Sequence, residues 1–310
     1  MNLLNRCELS SLLAVLLGLL SSSAARADEI LVTNAGTGTI GAYTTSGATV
    51  NASLISGLSV PFNIAVDGSN VFVANEATDA IGEYTTSGAT VNAALISGVS
   101  FPHQIAVSGS DLFVAIAQPT DAIGEYTTSG TPVNAALISG FEPLGIAVSG
   151  SDLFVTNVGA GTIGEYTTSG ATVNAALISG LNNPEEIVFS GSDLFVANQG
   201  SGTIGEYTTS GVTVNAALIS GLSEPFGIAV DGSDLFVTNV GAGTIGEYTT
   251  SGATVNAALI SGLNDPAGIA IVPGAAPVPE PSSLTLLGLA LAGLGFCARR
   301  KRASQTPVCK

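Results

Sequence analysis

The segment Ile163-Gly-Glu-Tyr-Thr-Thr-Ser-Gly170 decides the fold, because close copies of it occur six times along the chain. Each copy contains one tyrosine, and the chain has no others: Tyr43, Tyr84, Tyr126, Tyr166, Tyr207 and Tyr248. Successive tyrosines are separated by 41, 42, 40, 41 and 41 residues. A repeat of this length indicates a small unit that buries its apolar surface against neighbouring copies of itself.

One unit contains four segments rich in β-forming residues: Leu144–Val148, Leu153–Asn157, Thr162–Thr168 and Ala171–Ile178. Short turns containing Ser, Gly and Asp separate them, and glycines and β-branched residues disfavour a helix throughout. Four strands at a period near 41 residues are typical of one blade of a β-propeller, and six copies predict a six-bladed ring. A β-helix solenoid is the alternative, but its rungs are usually shorter than this.

The order of the strands at the two ends predicts how the ring closes. The repeats begin with Ile30–Asn34, which corresponds to the second strand of the unit, and end with Gly268–Ile271, which corresponds to the first. We therefore predict an all-β fold over residues 28–272, a six-bladed β-propeller of four-stranded blades. Its closing blade would combine three N-terminal strands with one C-terminal strand, which protects the sheet edges.

The N-terminal segment, residues 1–27, has the features of a secretory signal peptide. Arg6 precedes an apolar run from Leu12 to Leu20, and Ala25-Arg-Ala27 provides small residues for cleavage. A membrane anchor is the alternative, but the apolar run is too short to span a bilayer. We expect an exported protein that begins near Asp28.

The C-terminal segment begins with a Pro/Ala-rich linker, residues 273–281, and continues with a hydrophobic helix and a basic tail, residues 282–310. The apolar stretch Leu284–Ala298 precedes Arg299-Arg-Lys-Arg302. This order predicts a short transmembrane helix with its positive charges on the cytoplasmic side.

The sorting motif of this tail consists of Val278, Pro279, Glu280 and Pro281 with the later Arg299 and Arg300, and it resembles the PEP-CTERM sorting signal of Gram-negative bacteria. The resemblance implies that an exosortase, a membrane cysteine transpeptidase, processes the tail. The helix would then anchor the protein in the inner membrane only transiently. The resemblance also implies a final location in the cell envelope or an extracellular matrix, with envelope components or extracellular polysaccharide as possible partners.

The repeats resemble the NHL/YVTN group of propellers. Pro225–Asp231, Leu235–Asn239 and Gly243–Tyr248 carry this resemblance, and the other units match in the same places. The group includes scaffold and binding propellers, gluconolactonase-like hydrolases and a streptogramin lyase. The resemblance thus implies the fold and leaves the activity open.

The charge of the predicted propeller is entirely negative. Between Asp28 and Glu280 the chain has 22 acidic residues and no lysine or arginine. Such a surface repels nucleic acid and anionic lipid, favours a soluble monomer and attracts divalent cations. The three cysteines, Cys7, Cys297 and Cys309, all lie outside this part, so it has neither a disulfide nor a thiol nucleophile.

The candidate binding residues are those that differ between the six copies. Loops at one face of the ring vary, and the residues after their prolines include Asn63, His103, Gln104, Glu185 and Glu186. Further out, in the loops between the second and third strands at the same face, we expect Glu76, Asp79 and Asp121. Asn63, Glu185 and Glu186 carry oxygen atoms of the kind that bind Ca²⁺ or another divalent cation, and the whole group could bind a small polar ligand. Sequence drift in tolerant loops explains the same variation without any cofactor.

Two functions follow from these observations. The first is a non-enzymatic binding or structural module. The second is a metal-dependent lactonase or lyase with its site at the variable mouth of the channel. His103 is the only possible imidazole base, and no lysine or arginine is present to stabilise a developing anion, so we assign no catalytic residue.

Overall fold

The computed structural model describes residues 28–117 and 119–274. Its strands β1 to β12 are Glu29–Asn34, Thr39–Thr44, Thr49–Ser56, Pro61–Asp67, Asn70–Asn75, Ala80–Thr85, Thr90–Ser97, Pro102–Ser108, Asp111–Ile116, Ala122–Thr127, Pro132–Ser139 and Pro143–Ser149. Strands β13 to β24 are Asp152–Asn157, Thr162–Thr167, Thr172–Ser179, Pro184–Ser190, Asp193–Asn198, Thr203–Thr208, Thr213–Ser220, Pro225–Asp231, Asp234–Asn239, Thr244–Thr249, Thr254–Ser261 and Pro266–Val272. Short 3₁₀ turns occupy Glu76–Thr78, Gln199–Ser201 and Val240–Ala242.

The strands form six antiparallel sheets of four strands each, which are the blades of the predicted propeller. Blade 1 has the order β24-β1-β2-β3, and blades 2 to 6 are β4–β7, β8–β11, β12–β15, β16–β19 and β20–β23. In blade 1 the C-terminal β24 pairs with the N-terminal β1, with Glu29 opposite Val272 and Val32 opposite Ile269. The predicted fold class and the predicted closure are therefore both confirmed.

The core lies between blades. Each hydrophobic cluster combines residues of two neighbouring blades, as where Phe154 and Ile163 of blade 4 pack with Leu194 and Tyr207 of blade 5. The same packing places Tyr43 of blade 1 against Phe236 of blade 6. Burying a side chain of this size stabilises a fold by about 1.5–3 kcal/mol. The six repeated tyrosines thus join consecutive blades around the ring.

The outermost strand of every blade is exposed over most of its length. In β7 the Asn92 side chain accepts a hydrogen bond from the backbone N–H of Ala94, and the register with β6 shifts there. The corresponding asparagine makes the same bond in all six blades. Such irregularities make it harder for a strand of another molecule to pair with the exposed edge of the sheet, and so they oppose aggregation.

The predicted signal peptide, most of the linker, the hydrophobic helix and the basic tail lie outside the described residues. Within residues 28–117 and 119–274, no helix is long and apolar enough to cross a bilayer.

Candidate functional site

The first strands of the six blades line the central channel. Each of them begins with a proline, and we call the two residues that follow this proline the first and the second position of the channel. The first position is occupied by Phe62, His103, Leu144, Glu185, Phe226 and Ala267. The second is occupied by Asn63, Gln104, Gly145, Glu186, Gly227 and Gly268. Most of the predicted binding residues therefore meet at the channel.

In blades 2, 3 and 5 the second position carries a polar side chain that reaches the next blade. Asn63 Oδ1 accepts a hydrogen bond from the backbone N–H of Ile105 at 3.3 Å, and Gln104 Oε1 accepts one from Ile146 at 2.6 Å. Glu186 Oε2 accepts the equivalent bond from the N–H of Ile228 at 3.2 Å. Each of these side chains therefore joins its own blade to the following one.

In blades 1, 4 and 6 the second position is glycine, and a threonine of the neighbouring strand replaces the missing side chain. Thr156 Oγ1 accepts a hydrogen bond from Gly145 N–H at 2.6 Å and donates to the carbonyl of Glu185 in blade 5 at 2.9 Å. Thr238 joins blade 6 to blade 1 in the same way, and Thr33 joins blade 1 to blade 2.

Each of the six blade junctions thus has one polar side-chain bond of either the amide/carboxylate type or the threonine type. The position occupied by threonine in three blades is Ala74, Ala115 or Ala197 in the others. The two types exclude each other sterically, since a Cβ at Gly145 would meet both Thr156 Oγ1 and Gln104 Oε1 at 3.0 Å or less. The polar variation at the channel therefore has a structural explanation.

The three polar side chains of the second position also contact one another across the channel. Glu186 Oε1 accepts hydrogen bonds from Gln104 Nε2 at 2.8 Å and from Asn63 Nδ2 at 3.4 Å. The cavity beside them has a volume of only about 10 Å³. A buried water needs about 10–15 Å³ on this measure, so the space holds at most one water molecule.

The first position forms a more apolar layer. His103 stacks on Phe62 with their ring centroids 4.5 Å apart, and Phe226 meets Phe62 edge to face at 4.9 Å. Burial lowers the pKa of His103 to about 4, so the imidazole is neutral at pH 7, and its Nδ1 has no hydrogen-bond partner among the described residues. Glu185 accepts a bond from Asn183 Nδ2 at 2.8 Å through Oε1, while its Oε2 is buried without a partner.

The outlying acidic residues of the prediction have different surroundings. Asp79 Oδ1 accepts a hydrogen bond from the backbone N–H of Phe101 at 3.1 Å and so holds two loops of the rim together. Glu76 belongs to the 3₁₀ turn next to it. Asp121 lines a pocket between blades 3 and 4, together with His103 and Leu144 of the first position.

The predicted metal ligands, Asn63, Glu185 and Glu186, differ in how far their oxygen atoms are engaged. Glu186 and Asn63 use theirs as acceptors in the bonds described above, and only Glu185 Oε2 is free of such a bond. The described residues include no group of three His, Cys, Asp or Glu side chains placed to hold a metal ion. As arranged, the three residues do not fit a metal ion without loss of junction bonds, and the metal site stays a prediction.

A family model decides the relationship of this chain to known proteins. The model of the virginiamycin B lyase family matches residues 18–235, which is more than two thirds of the sequence. The chain belongs to the virginiamycin B lyase family. No curated protein matches its sequence.

Solved structures resemble this member of the virginiamycin B lyase family in fold. A chain of a nidogen/laminin complex superposes with a TM-score of 0.68 at 18% identity, over 79% of this chain and 98% of that one. Virginiamycin B lyase from Staphylococcus aureus superposes with a TM-score of 0.60 at 20% identity, over 80% and 89%. A catalytically inactive histidine-to-alanine variant of that lyase, solved with quinupristin, gives the same values.

A second match concerns the C-terminus of this virginiamycin B lyase family member. The PEP-CTERM protein-sorting motif matches residues 277–301, which include Val278–Pro281 and Arg299-Arg300. The predicted resemblance is thus confirmed. The motif marks the chain as an exported protein whose C-terminal sorting signal is processed by an exosortase.

Burial also changes the protonation of the two channel carboxyls. Desolvation raises the pKa of Glu186 to about 8, although Asn63 and the N–H of Ile228 donate to its charged form, and the neighbouring Glu185 raises it further. Desolvation raises the pKa of Glu185 to about 7, against the effect of Asn183. The channel therefore holds two carboxyl groups that retain protons near neutral pH, where carboxyls are normally ionised.

We expect the stability of the protein to increase as the pH falls from 9 to 6.5. A carboxyl with a raised native pKa stabilises the fold at pH values below its unfolded pKa of 4.5, and this contribution is lost as the pH rises through about 7 and 8. Each such carboxyl changes the free energy of unfolding by at most about 1.4 kcal/mol per pH unit. In a domain of this size, each kcal/mol changes the melting temperature by roughly 2–4 °C. Below pH 6.5 the lowered pKa of His103 acts in the opposite direction and offsets one of the two carboxyls, so the increase should continue with a smaller slope.

Thermal unfolding followed by circular dichroism between pH 5 and 9 measures this dependence. Glu186→Gln should reduce the slope of this increase, with Glu185 left to carry the rest, whereas Asp67→Asn, the exchange of a carboxyl for an amide at the exposed end of β4, should leave it unchanged. Equal slopes for the wild type and Glu186→Gln would show that Glu186 does not carry the effect.

Proposed function

We propose that this protein is an exported propeller that acts as a non-enzymatic binding or structural module at the cell envelope or in an extracellular matrix. The observation that carries the proposal is the use of Asn63, Gln104 and Glu186 in the blade junctions. Side chains that hold the ring together cannot rearrange around a reacting substrate without weakening it. The sorting motif supports the location, since it is a signal of exported proteins whose tail an exosortase processes.

The state of the only histidine supports the same proposal. Replacement of one histidine by alanine inactivates the lyase of Staphylococcus aureus. In the present chain the only imidazole is that of His103, which stacks on Phe62 and has a pKa of about 4. A base with so low a pKa is a weak proton acceptor, because efficient general bases have pKa values near the working pH.

The competing function is a metal-dependent lactonase or lyase. Membership of the virginiamycin B lyase family favours it, as does the buried Oε2 of Glu185, which has no hydrogen-bond partner. This alternative requires a divalent cation, because the folded part has no lysine or arginine to stabilise an anionic intermediate.

We expect no turnover when the purified protein is incubated with virginiamycin B or quinupristin in the presence of Mg²⁺, Mn²⁺ or Ca²⁺. Mass spectrometry of the antibiotic measures cleavage, and the Staphylococcus aureus lyase serves as the positive control. Calorimetric titration of the same sample with each metal should give no stoichiometric binding. Cleavage that disappears in His103→Ala, or metal uptake that disappears when Glu185→Ala and Asn63→Ala are combined, would replace our proposal by the enzymatic one.

A further inference from the structure

The repeat has one local irregularity, and it lies between blades 3 and 4. The loop between the second and third strands has four residues in five blades but five in blade 3, from Ala117 to Asp121. The loop that precedes the first strand has four residues at five junctions but only three before β12, from Gly140 to Glu142. These changes produce the tyrosine spacings of 42 and 40.

A pocket of about 370 Å³ lies where these two loops meet. Ligand-binding pockets usually have volumes of about 300–1,000 Å³. Its wall is largely apolar and includes Pro143, Leu144 and Val158, with Phe101 at the rim. Phe101 is 48% exposed, so this aromatic residue is accessible to a bound molecule.

Asp121 shows how the altered loops free a carboxylate. Asp79, its counterpart in blade 2, has the same left-handed backbone conformation and uses Oδ1 to accept the N–H of Phe101 from the following loop. The corresponding loop before β12 is one residue shorter, and Asp121 Oδ1 is buried with no hydrogen-bond partner among the described residues. Asp121 Oδ1 is therefore an unused hydrogen-bond acceptor, whereas the Oδ1 atom of Asp79 is used in a bond between two loops.

The ionisable side chains of the pocket are two acidic residues, Asp121 and Glu142, and His103, whose burial lowers its pKa to about 4 and keeps it neutral at pH 7. No lysine or arginine occurs between Asp28 and Glu280 to neutralise them. A ligand that suits this wall has an apolar body and a positively charged group that can donate hydrogen bonds. An aromatic face beside two carboxylates is favourable for such a cation, and the acidic surface of the domain raises the local concentration of cations.

We propose that the pocket between blades 3 and 4 binds small organic cations, namely amines with an apolar body. This inference rests on the proposed binding role and gives it a location and a ligand class. The pocket shares His103 and Leu144 with the channel, but Glu186 does not line it.

Nuclear magnetic resonance titration of the ¹⁵N-labelled protein tests the proposal with three probes that share one ring: benzylamine, benzyl alcohol and benzoate. Benzylamine should bind with a dissociation constant on the order of 1 mM, as expected for a ligand of this size. Its shifts should map to the pocket wall, and benzyl alcohol should bind at least about tenfold more weakly because it lacks the charge. Benzoate should not bind.

Three variants locate the site. Asp121→Asn should weaken benzylamine binding at least about tenfold, whereas Asp67→Asn, an equal change of charge at an exposed turn, should not. A loop variant tests the pocket itself: residues 117–121 are replaced by Val158-Gly-Ala-Gly161, and residues 140–142 by Gly180-Leu-Asn-Asn183. This restores the regular loop lengths and should abolish binding while the protein still unfolds cooperatively.

Equal binding of benzylamine and benzyl alcohol would overturn the assignment of a cation. The assignment of the site would be overturned if Asp67→Asn and Asp121→Asn weakened benzylamine binding equally. It would also be overturned if the loop variant bound benzylamine as tightly as the wild type. These outcomes leave the non-enzymatic proposal intact, because that proposal fails only through cleavage or metal uptake.

Discussion

Deletion of β24, residues Pro266–Val272, should abolish cooperative unfolding, whereas deletion of every residue after Pro273 should leave the melting temperature within about 3 °C, the effect of roughly 1 kcal/mol. β24 is the only strand that pairs with the inner edge of β1. It contributes Ile269 to the cluster between blades 6 and 1, and Val272 to the cluster between blades 1 and 2.

The size of this effect follows from what the deletion exposes. Burial of Ile269 and Val272 stabilises the fold by about 1.5–3 kcal/mol each. β1, which is buried at all six positions, would become an edge whose unpaired backbone groups cost about 1–3 kcal/mol each where they stay buried. The sum approaches the total stability of a typical domain, about 5–15 kcal/mol.

Circular dichroism melting of the two truncated proteins beside the full chain measures the difference. The deletion of every residue after Pro273 is the control for loss of chain length, since it removes more residues than β24 contains. If the two truncated proteins melt at the same temperature, strand closure does not determine the stability of the ring.

The ring and its closure could be predicted because both depend on properties that each copy shows separately. The six tyrosine segments, the β-forming runs and the glycine turns recur in every unit, and the order of Ile30–Asn34 and Gly268–Ile271 reveals the divided blade. Such features are local in the sequence, so a single chain is sufficient to recognise them.

The roles of the channel residues could not be predicted in the same way, because their partners belong to the next blade. Asn63 bonds to Ile105, 42 residues further on, and that contact depends on how two sheets face each other. One signal was present in the sequence: alanine at Ala74, Ala115 and Ala197 accompanies a polar residue in the first strand, and threonine accompanies glycine. Comparison of these two positions across the six copies would have identified the junctions.

The pocket between blades 3 and 4 was also visible only in part. The spacings of 42 and 40 residues record one insertion and one deletion, but the sequence does not state that the two changed loops meet. Their contact depends on the antiparallel order of the strands and on the neighbouring blade. The same geometry places Asp121, which was predicted to lie further out than the channel group, in a pocket that it shares with His103 and Leu144.

The two types of blade junction should be interchangeable. In the double variant Asn63→Gly with Ala74→Thr, the new threonine should join the N–H of residue 63 to the carbonyl of His103, as Thr156 joins Gly145 to Glu185. Asn63 is the best position for the exchange, because its bond to Glu186 is long, at 3.4 Å.

Each single change should destabilise the protein, and the double change should restore part of the loss, because the new threonine makes two junction bonds while the N–H of Ile105 stays without Asn63 Oδ1. Asn63→Gly leaves the N–H of Ile105 without its partner, at about 1–3 kcal/mol, and adds about 0.5–1 kcal/mol of backbone entropy. Ala74→Thr alone overfills a fully buried site, at about 1–3 kcal/mol. Urea unfolding of the four proteins gives the coupling energy, expected at about 1–3 kcal/mol in favour of the pair.

Valine in place of the new threonine separates hydrogen bonding from packing in this exchange. It has nearly the shape of threonine but no hydroxyl, so Asn63→Gly with Ala74→Val should show the filled volume without the restored bonds. If this control recovers as much stability as the threonine pair, the junctions are held by packing. If the destabilisations caused by Asn63→Gly and by Ala74→Thr simply add in the double variant, the side chains of Asn63 and Thr156 do not have equivalent roles in their blade junctions.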